Sequence, residues 1–302
     1  MRHTVTVTEH RNRDSMVPNI PHKSNHGLRI ADTSPLIYFY HIPKTAGTSL
    51  HFALRDEYGV DGVTPQMLWD DLISDQREIP SSVRVVVGHF GGILPFYLGY
   101  MPRMVTILRD PVARALSHIN HVQRDVNHPL HEMGCGLSIT EYCRHPELRQ
   151  TIDNVQTRYL ASFCFAEALM TPPRQLYNHR DGHYSVAFEN ALLAMDSWNG
   201  LADAAIRTMT RMECFGLCEE FDRTLDHFAD VLDWKSRIKP VVVNVAGPKQ
   251  KKVDDLGFRE RRELQALNKF DLDLYDWAVS IFSARCGVSV PKAKFLPIRM
   301  AA

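Results

Sequence analysis

The apolar positions along the chain follow two periods. Leu36-Ile-Tyr-Phe-Tyr-His41, Val83-Arg-Val-Val-Val87 and Met104-Val-Thr-Ile-Leu108 are short β-prone runs, closed by Pro43, by Gly88-His89 and by Arg109. They predict three buried strands. After the first run, Leu50, Ala53 and Leu54 recur at helical spacing and predict a helix from about Thr48 to Tyr58. After the third, Asp110-Pro111 supplies an N-cap and a proline at the first helical position, and the helix runs to about Arg124. Its stripe is Val112, Ala115, Leu116, Ile119 and Val122, with Arg114, Ser117, His118 and His121 on the other side.

Strand-turn-helix units repeated in this way imply an α/β fold with a central parallel sheet. The later chain is mostly helical, with stripes at Phe221, Leu225, Phe228 and Leu232 and at Leu274, Trp277, Ala278 and Ile281. Between them, Cys214-Phe-Gly-Leu217 reads as a further strand. Residues 1–35 are polar, without the apolar segment of an export signal, and read as a flexible N-terminal arm. Residues 36–302 read as a single domain.

Composition narrows the function. Of 302 residues, 44% are hydrophobic and 23% charged, which is ample for a core. Lys plus Arg equals Asp plus Glu at 35 each, which argues against a nucleic-acid binder working through bulk positive charge. No apolar run approaches the roughly 18–20 residues that span a bilayer. The six cysteines form no CxxC pair and no zinc spacing, so reduced thiols and a cytoplasmic protein are expected.

The densest chemistry is His41-Ile-Pro-Lys-Thr-Ala-Gly-Thr-Ser49, between a strand and a helix. A helix N-terminus attracts anions through unpaired N–H groups. Here Gly47 permits close approach, Lys44 adds a cation, and Thr45, Thr48 and Ser49 add hydroxyls. A Walker A loop places Lys directly after Gly, whereas Lys44 precedes Gly47 by three. Thr106-Ile-Leu-Arg-Asp-Pro-Val-Ala-Arg-Ala-Leu-Ser-His118 is the second constellation, with Arg109 leaving a strand at the same sheet edge. An arginine fork suits a dianionic phosphate. Two such sites call for a ligand with two separated anionic groups.

"FYHIPKTAGTSL" followed by "TILRDPVARALSH" resembles the two nucleotide signatures of sulfotransferases that use 3′-phosphoadenosine 5′-phosphosulfate (PAPS), in the family-2 group of bacterial and uronyl or heparan-sulfate 2-O-sulfotransferases. "VVVGHF", "DNVQTRYL", "FGLCEEFDRTL" and "LNKFDLDLYDWA" extend the resemblance over about residues 36–282. It implies a P-loop-like three-layer fold and a PAPS-dependent O-sulfotransferase. Lys44, Thr45, Ala46, Gly47, Thr48 and Ser49 would hold the 5′-phosphosulfate, and Arg109 and Ser117 the 3′-phosphate. His89 would be the catalytic base and Lys44 would stabilise the leaving phosphate, leaving 3′,5′-bisphosphoadenosine (PAP). The basic segment containing Lys249, Lys251 and Lys252 either closes over the nucleotide or is a solvated run. Gln156 and Arg158 either approach the ligands or belong to a packing helix. His118, His121, His128 and His131 read as surface imidazoles, and no metal is expected. The acceptor would be a hydroxyl of a sugar, glycolipid or natural product. Competing classes are a P-loop kinase and a nucleotide-binding protein without catalysis.

Overall fold

Four parallel strands, β1 (Ile37–Tyr40), β2 (Val85–Gly88), β3 (Arg103–Leu108) and β4 (Cys214–Leu217), pair in the order β2-β1-β3-β4. The computed structural model describes residues 36–65, 79–98, 100–165, 196–235, 238 and 250–287. The expected N-terminal arm and Lys249 lie outside them. The described helices are α1 (Gly47–Tyr58), α2 (Ile93–Leu98), α3 (Pro111–Arg124), α4 (His131–Gly134), α5 (Ile139–Arg144), α6 (Val155–Ala161), α7 (Trp198–Met209), α8 (Phe221–Val231), α9 (Phe258–Leu267) and α10 (Lys269–Cys286). All four expected strands are present. β2 begins two residues later than its apolar run: the Val83 N–H turns back to the Pro80 carbonyl at 3.0 Å and the Arg84 N–H bonds the Gly62 carbonyl at 2.8 Å.

Alternation along the strands sends side chains to opposite faces. Tyr38, Tyr40, Met104, Leu108 and Phe215 join one core with residues of α2, α6, α7 and α10. Ile37, Phe39, Val85, Val87, Val105 and Ile107 join another with Leu50 and Leu54 of α1 and Leu225 and Phe228 of α8. Helices on both faces of a parallel sheet give the three-layer α/β architecture. The α3 stripe lies off the sheet, in a third cluster with Ile139, Tyr142, Leu148 and Leu264.

Strand order positions the site. The chain steps from β1 outward to β2, then back across β1 to β3. Connections therefore leave the C-terminal ends of β1 and β3 in opposite directions, opening a crevice where α/β sheets bind ligands. The Lys44 loop follows β1 there, and Arg109 follows β3.

Candidate active site

Six residues, His41 to Ala46, connect β1 to α1. Lys44 and Ala46 take positive φ, 70° and 67°. Such conformations cost non-glycine residues about 1–3 kcal/mol each and concentrate at ligand clamps. The Thr45 hydroxyl donates to the Ile42 carbonyl at 2.8 Å, so it closes the loop itself. Ala46, the N-cap of α1, has no side chain able to cap, and the first turn holds no acid. The partial positive charge of the helix end is therefore not offset by a side-chain cap.

Gly47 is required by a neighbour. A Cβ there would lie 1.7 Å from Nε2 of His41, whose ring occupies that space. The His41 ring stacks on Phe39 at 5.0 Å and lies 4.3 Å from the His89 ring. His89 is buried, directly after β2, with Nδ1 2.8 Å from the His41 carbonyl oxygen. A carbonyl only accepts, so Nδ1 carries the proton and the neutral ring keeps its lone pair on Nε2. Burial, aided by the charge of Lys44, lowers the His89 pKa to about 4 against the opposing hydrogen bond to His41. His89 is thus a neutral, tautomerically fixed imidazole across the physiological range.

Lys44 is lowered to about 8, mainly by burial, then by Arg124, Arg109 and Arg114. An anion at this loop would relieve that repulsion. The Arg109 guanidinium donates through Nη1 to the Lys44 carbonyl at 3.1 Å, bringing the two sequence constellations into contact. Ser117 is half-buried on α3, one turn beyond Arg114.

The face of α3 opposite its apolar stripe departs from expectation. Arg114 is fully buried, donating to the Thr151 carbonyl at 3.1 Å, and its pKa falls to about 10 through burial against the favourable field of Asp271. His118 and His128 are buried rather than surface imidazoles, and His121 and His131 are partly covered. The ring of His128 lies edge-on to those of His118 at 6.0 Å and His121 at 5.2 Å. The reason is tertiary: the chain turns back after α3 and lays His128 against it. Among the described residues no His, Cys, Asp or Glu group is arranged to hold a metal ion.

Residues from distant segments hold Arg109. The Gln156 side-chain amide accepts from the Arg109 N–H at 2.9 Å and donates to the Arg109 carbonyl at 2.8 Å. Gln156 belongs to α6, whose residues are all buried, and Arg158 donates to the carbonyls of Asp153 and Gln150. The helix is packed into the core, and its Gln156 side chain grips the main chain of Arg109. Its N-terminus is capped by Asp271, which accepts from the N–H groups of Gln156 at 3.0 Å and Thr157 at 2.7 Å. In return Asn154 Oδ1 accepts from the N–H groups of Phe270 and Asp271 in the first turn of α10. Glu219, just past β4, accepts from the Asp110 N–H at 3.0 Å. Sequence reasoning assigned no role to Glu219 or Asp271; both stand in the resembling segments "FGLCEEFDRTL" and "LNKFDLDLYDWA".

Of the basic segment, Lys251 is ion-paired with Glu260 at 2.7 Å, and its carbonyl accepts from Asn120 of α3 at 2.9 Å. The exposed Lys252 caps the turn at Val253–Asp255 through its N–H. This stretch borders α3 one turn beyond Ser117.

No family model matches the chain. It is 28% identical over 190 residues to heparan-sulfate 6-O-sulfotransferase 2 of Gallus gallus, covering 60% of this chain and 44% of that protein. Its identity to heparan-sulfate 6-O-sulfotransferase 2 of Danio rerio is 27% over 191 residues, covering 60% and 38%. The chain spans less than half the length of these curated relatives. The similarity is distant and partial.

Proposed function

We propose that the chain is a PAPS-dependent O-sulfotransferase, with residues 36–302 as its single domain. The observation that carries the reading is the Arg109–Lys44 contact at the crevice between β1 and β3. It joins two cationic, donor-rich turns, which suits one ligand with anionic groups at both ends.

In this mechanism the uncapped end of α1, from Ala46 to Ser49, holds the 5′-phosphosulfate. Arg109 and Ser117 hold the 3′-phosphate. Sulfuryl transfer is an in-line displacement at sulfur: the acceptor oxygen forms a bond as the bond to the bridging phosphate oxygen breaks. Charge grows on that bridging oxygen, and the Lys44 ammonium stabilises it more in the transition state than in the ground state. The acceptor proton passes to Nε2 of His89, whose Nδ1 proton is held by the His41 carbonyl. The resulting imidazolium is stabilised by the departing negative charge. His41 therefore positions the base twice, by ring packing and by its carbonyl. Lys249 takes part only if its loop closes over the nucleotide.

The acceptor we propose is a carbohydrate hydroxyl, by analogy with relatives named for heparan sulfate; glycolipid and natural-product hydroxyls belong in the same test. Placement in the family-2 group rests on the sequence resemblance alone, the relatives found being named as 6-O-sulfotransferases. The test is transfer of labelled sulfate from PAPS to a panel of oligosaccharides and hydroxylated metabolites, with ATP and magnesium as the parallel donor arm. Transfer from ATP with none from PAPS would overturn the reading in favour of a kinase.

A further inference from the structure

The turn between β3 and α3 exposes three main-chain polar groups, and side chains from elsewhere take all three. Gln156 takes the N–H and carbonyl of Arg109, as described. Glu219 takes the N–H of Asp110 through Oε1 at 3.0 Å, while its Oε2 accepts from the Tyr275 hydroxyl of α10 at 2.7 Å. The carboxylate thus bridges the ends of β3 and β4 to α10. Asp110 cannot perform this task, because its own Oδ1 caps α3 through the Ala113 N–H at 2.8 Å.

As a residue Glu219 is exposed, yet both oxygens of its carboxylate are taken by other elements. Desolvation around the carboxyl group by the neighbouring elements pushes it above its usual range, and Tyr275, the Asp110 N–H and the Arg109 cation oppose that push. Tyr275 in turn is held as a phenol by burial and by the charge of Glu219. The two contacts tie the main chain immediately after Arg109 to α10 through one side chain. Arg109 has one further restraint among the described residues, its bond to the Lys44 carbonyl. The Arg109 carbonyl and the Asp110 N–H belong to one peptide unit, held by Gln156 on one side and Glu219 on the other.

We propose that Glu219, anchored by Tyr275, is a positioning residue for Arg109, and that it thereby sets how strongly the site distinguishes a nucleotide carrying a 3′-phosphate from one without it. The proposal rests on the assignment of Arg109 to the 3′-phosphate and goes beyond it, because Glu219 itself does not touch the nucleotide.

The experiment is calorimetric titration of the full chain with PAP and with adenosine 5′-monophosphate, read as the ratio of the two dissociation constants. The wild-type protein is expected to favour PAP strongly. Glu219→Ala is expected to reduce the ratio about tenfold by weakening PAP binding alone, because an oriented, charge-assisted contact is lost. Glu219→Gln keeps an oxygen for the Asp110 N–H and an amide for the Tyr275 oxygen, and is expected to keep the ratio within about threefold. A merely structural role would weaken both nucleotides together and leave the ratio unchanged, which overturns the proposal. Equal loss in the Ala and Gln variants also overturns it. Should Glu219→Ala fail to fold, Tyr275→Phe frees one carboxylate oxygen and is expected to lower the ratio about threefold; an unchanged ratio there overturns the proposal. A wild-type protein indifferent to the 3′-phosphate defeats the Arg109 assignment itself, a result separate from any variant's behaviour.

Discussion

Nη1 of Arg109 lies 3.1 Å from the main-chain oxygen of Lys44, so the side chain assigned to one end of the nucleotide braces the loop assigned to the other. A contact to a main-chain atom is also indifferent to the Lys44 side chain, which stays available for the reacting group.

Arg109→Ala is expected to weaken PAP binding about 10- to 100-fold, the 1.5–3 kcal/mol typical of a hydrogen bond to a charged group. Adenosine 5′-monophosphate should lose less, through loosening of the loop alone. Unaltered PAP affinity in a calorimetric titration would refute the 3′-phosphate role.

The pH profile of kcat/KM reports the free enzyme. His89, lowered to about 4, is already a competent base well below neutrality, so no acid limb is expected near the ordinary histidine value. Lys44, lowered to about 8, loses its charge above that value, so the profile should fall on the alkaline side near pH 8. An acid limb near pH 6.5 would remove His89 as the base. His89→Ala is expected to reduce turnover about 10²- to 10⁴-fold with PAP affinity within about twofold of wild type.

Lys44 works against the fold it serves. Its pKa is about 8 in the folded chain and near 10.5 when unfolded, so the unfolded chain binds the proton more tightly. The penalty is complete below pH 8 and fades as pH rises from 8 to 10.5. Lys44→Met is therefore expected to raise the melting temperature of the ligand-free protein by about 2–4 °C at pH 7, while slowing sulfuryl transfer by about 3–4 kcal/mol of transition-state stabilisation. Paired thermal melts and single-turnover rates check this; a lowered melting temperature would contradict it.

Gly47→Ala inserts a methyl group where the His41 ring lies. The ring must move, and with it the carbonyl that fixes Nδ1 of His89. A loss of about 1–3 kcal/mol in denaturant unfolding is expected, together with a drop in turnover exceeding any change in PAP affinity. Full activity in this variant would show that the ring packing is dispensable.

The local part of this architecture was legible in the sequence. The strand runs announce themselves by length and β-branching, and α3 starts where Asp110 and Pro111 place it. The same local logic misled at His118, because a stripe describes which side of a helix is apolar and not whether the opposite side is later covered, as it is by His128 from the turn after α3. Gln156 was visible only as part of a motif. Its grip on Arg109 joins positions 47 residues apart, and that of Glu219 on Asp110 joins positions 109 apart.

By itself the sequence determined the ingredients: a helix start able to receive an anion, an arginine leaving a strand, and a histidine closing another. Only the tertiary structure decided that they meet, since β1 lies between β2 and β3 through backbone pairing of segments separated by dozens of residues. The tautomer of His89, the lowered proton affinity of Lys44 and the clamp on Arg109 were likewise decided there. Each depends on desolvation and on hydrogen bonds across the fold, quantities that exist only once distant parts of the chain have excluded water together.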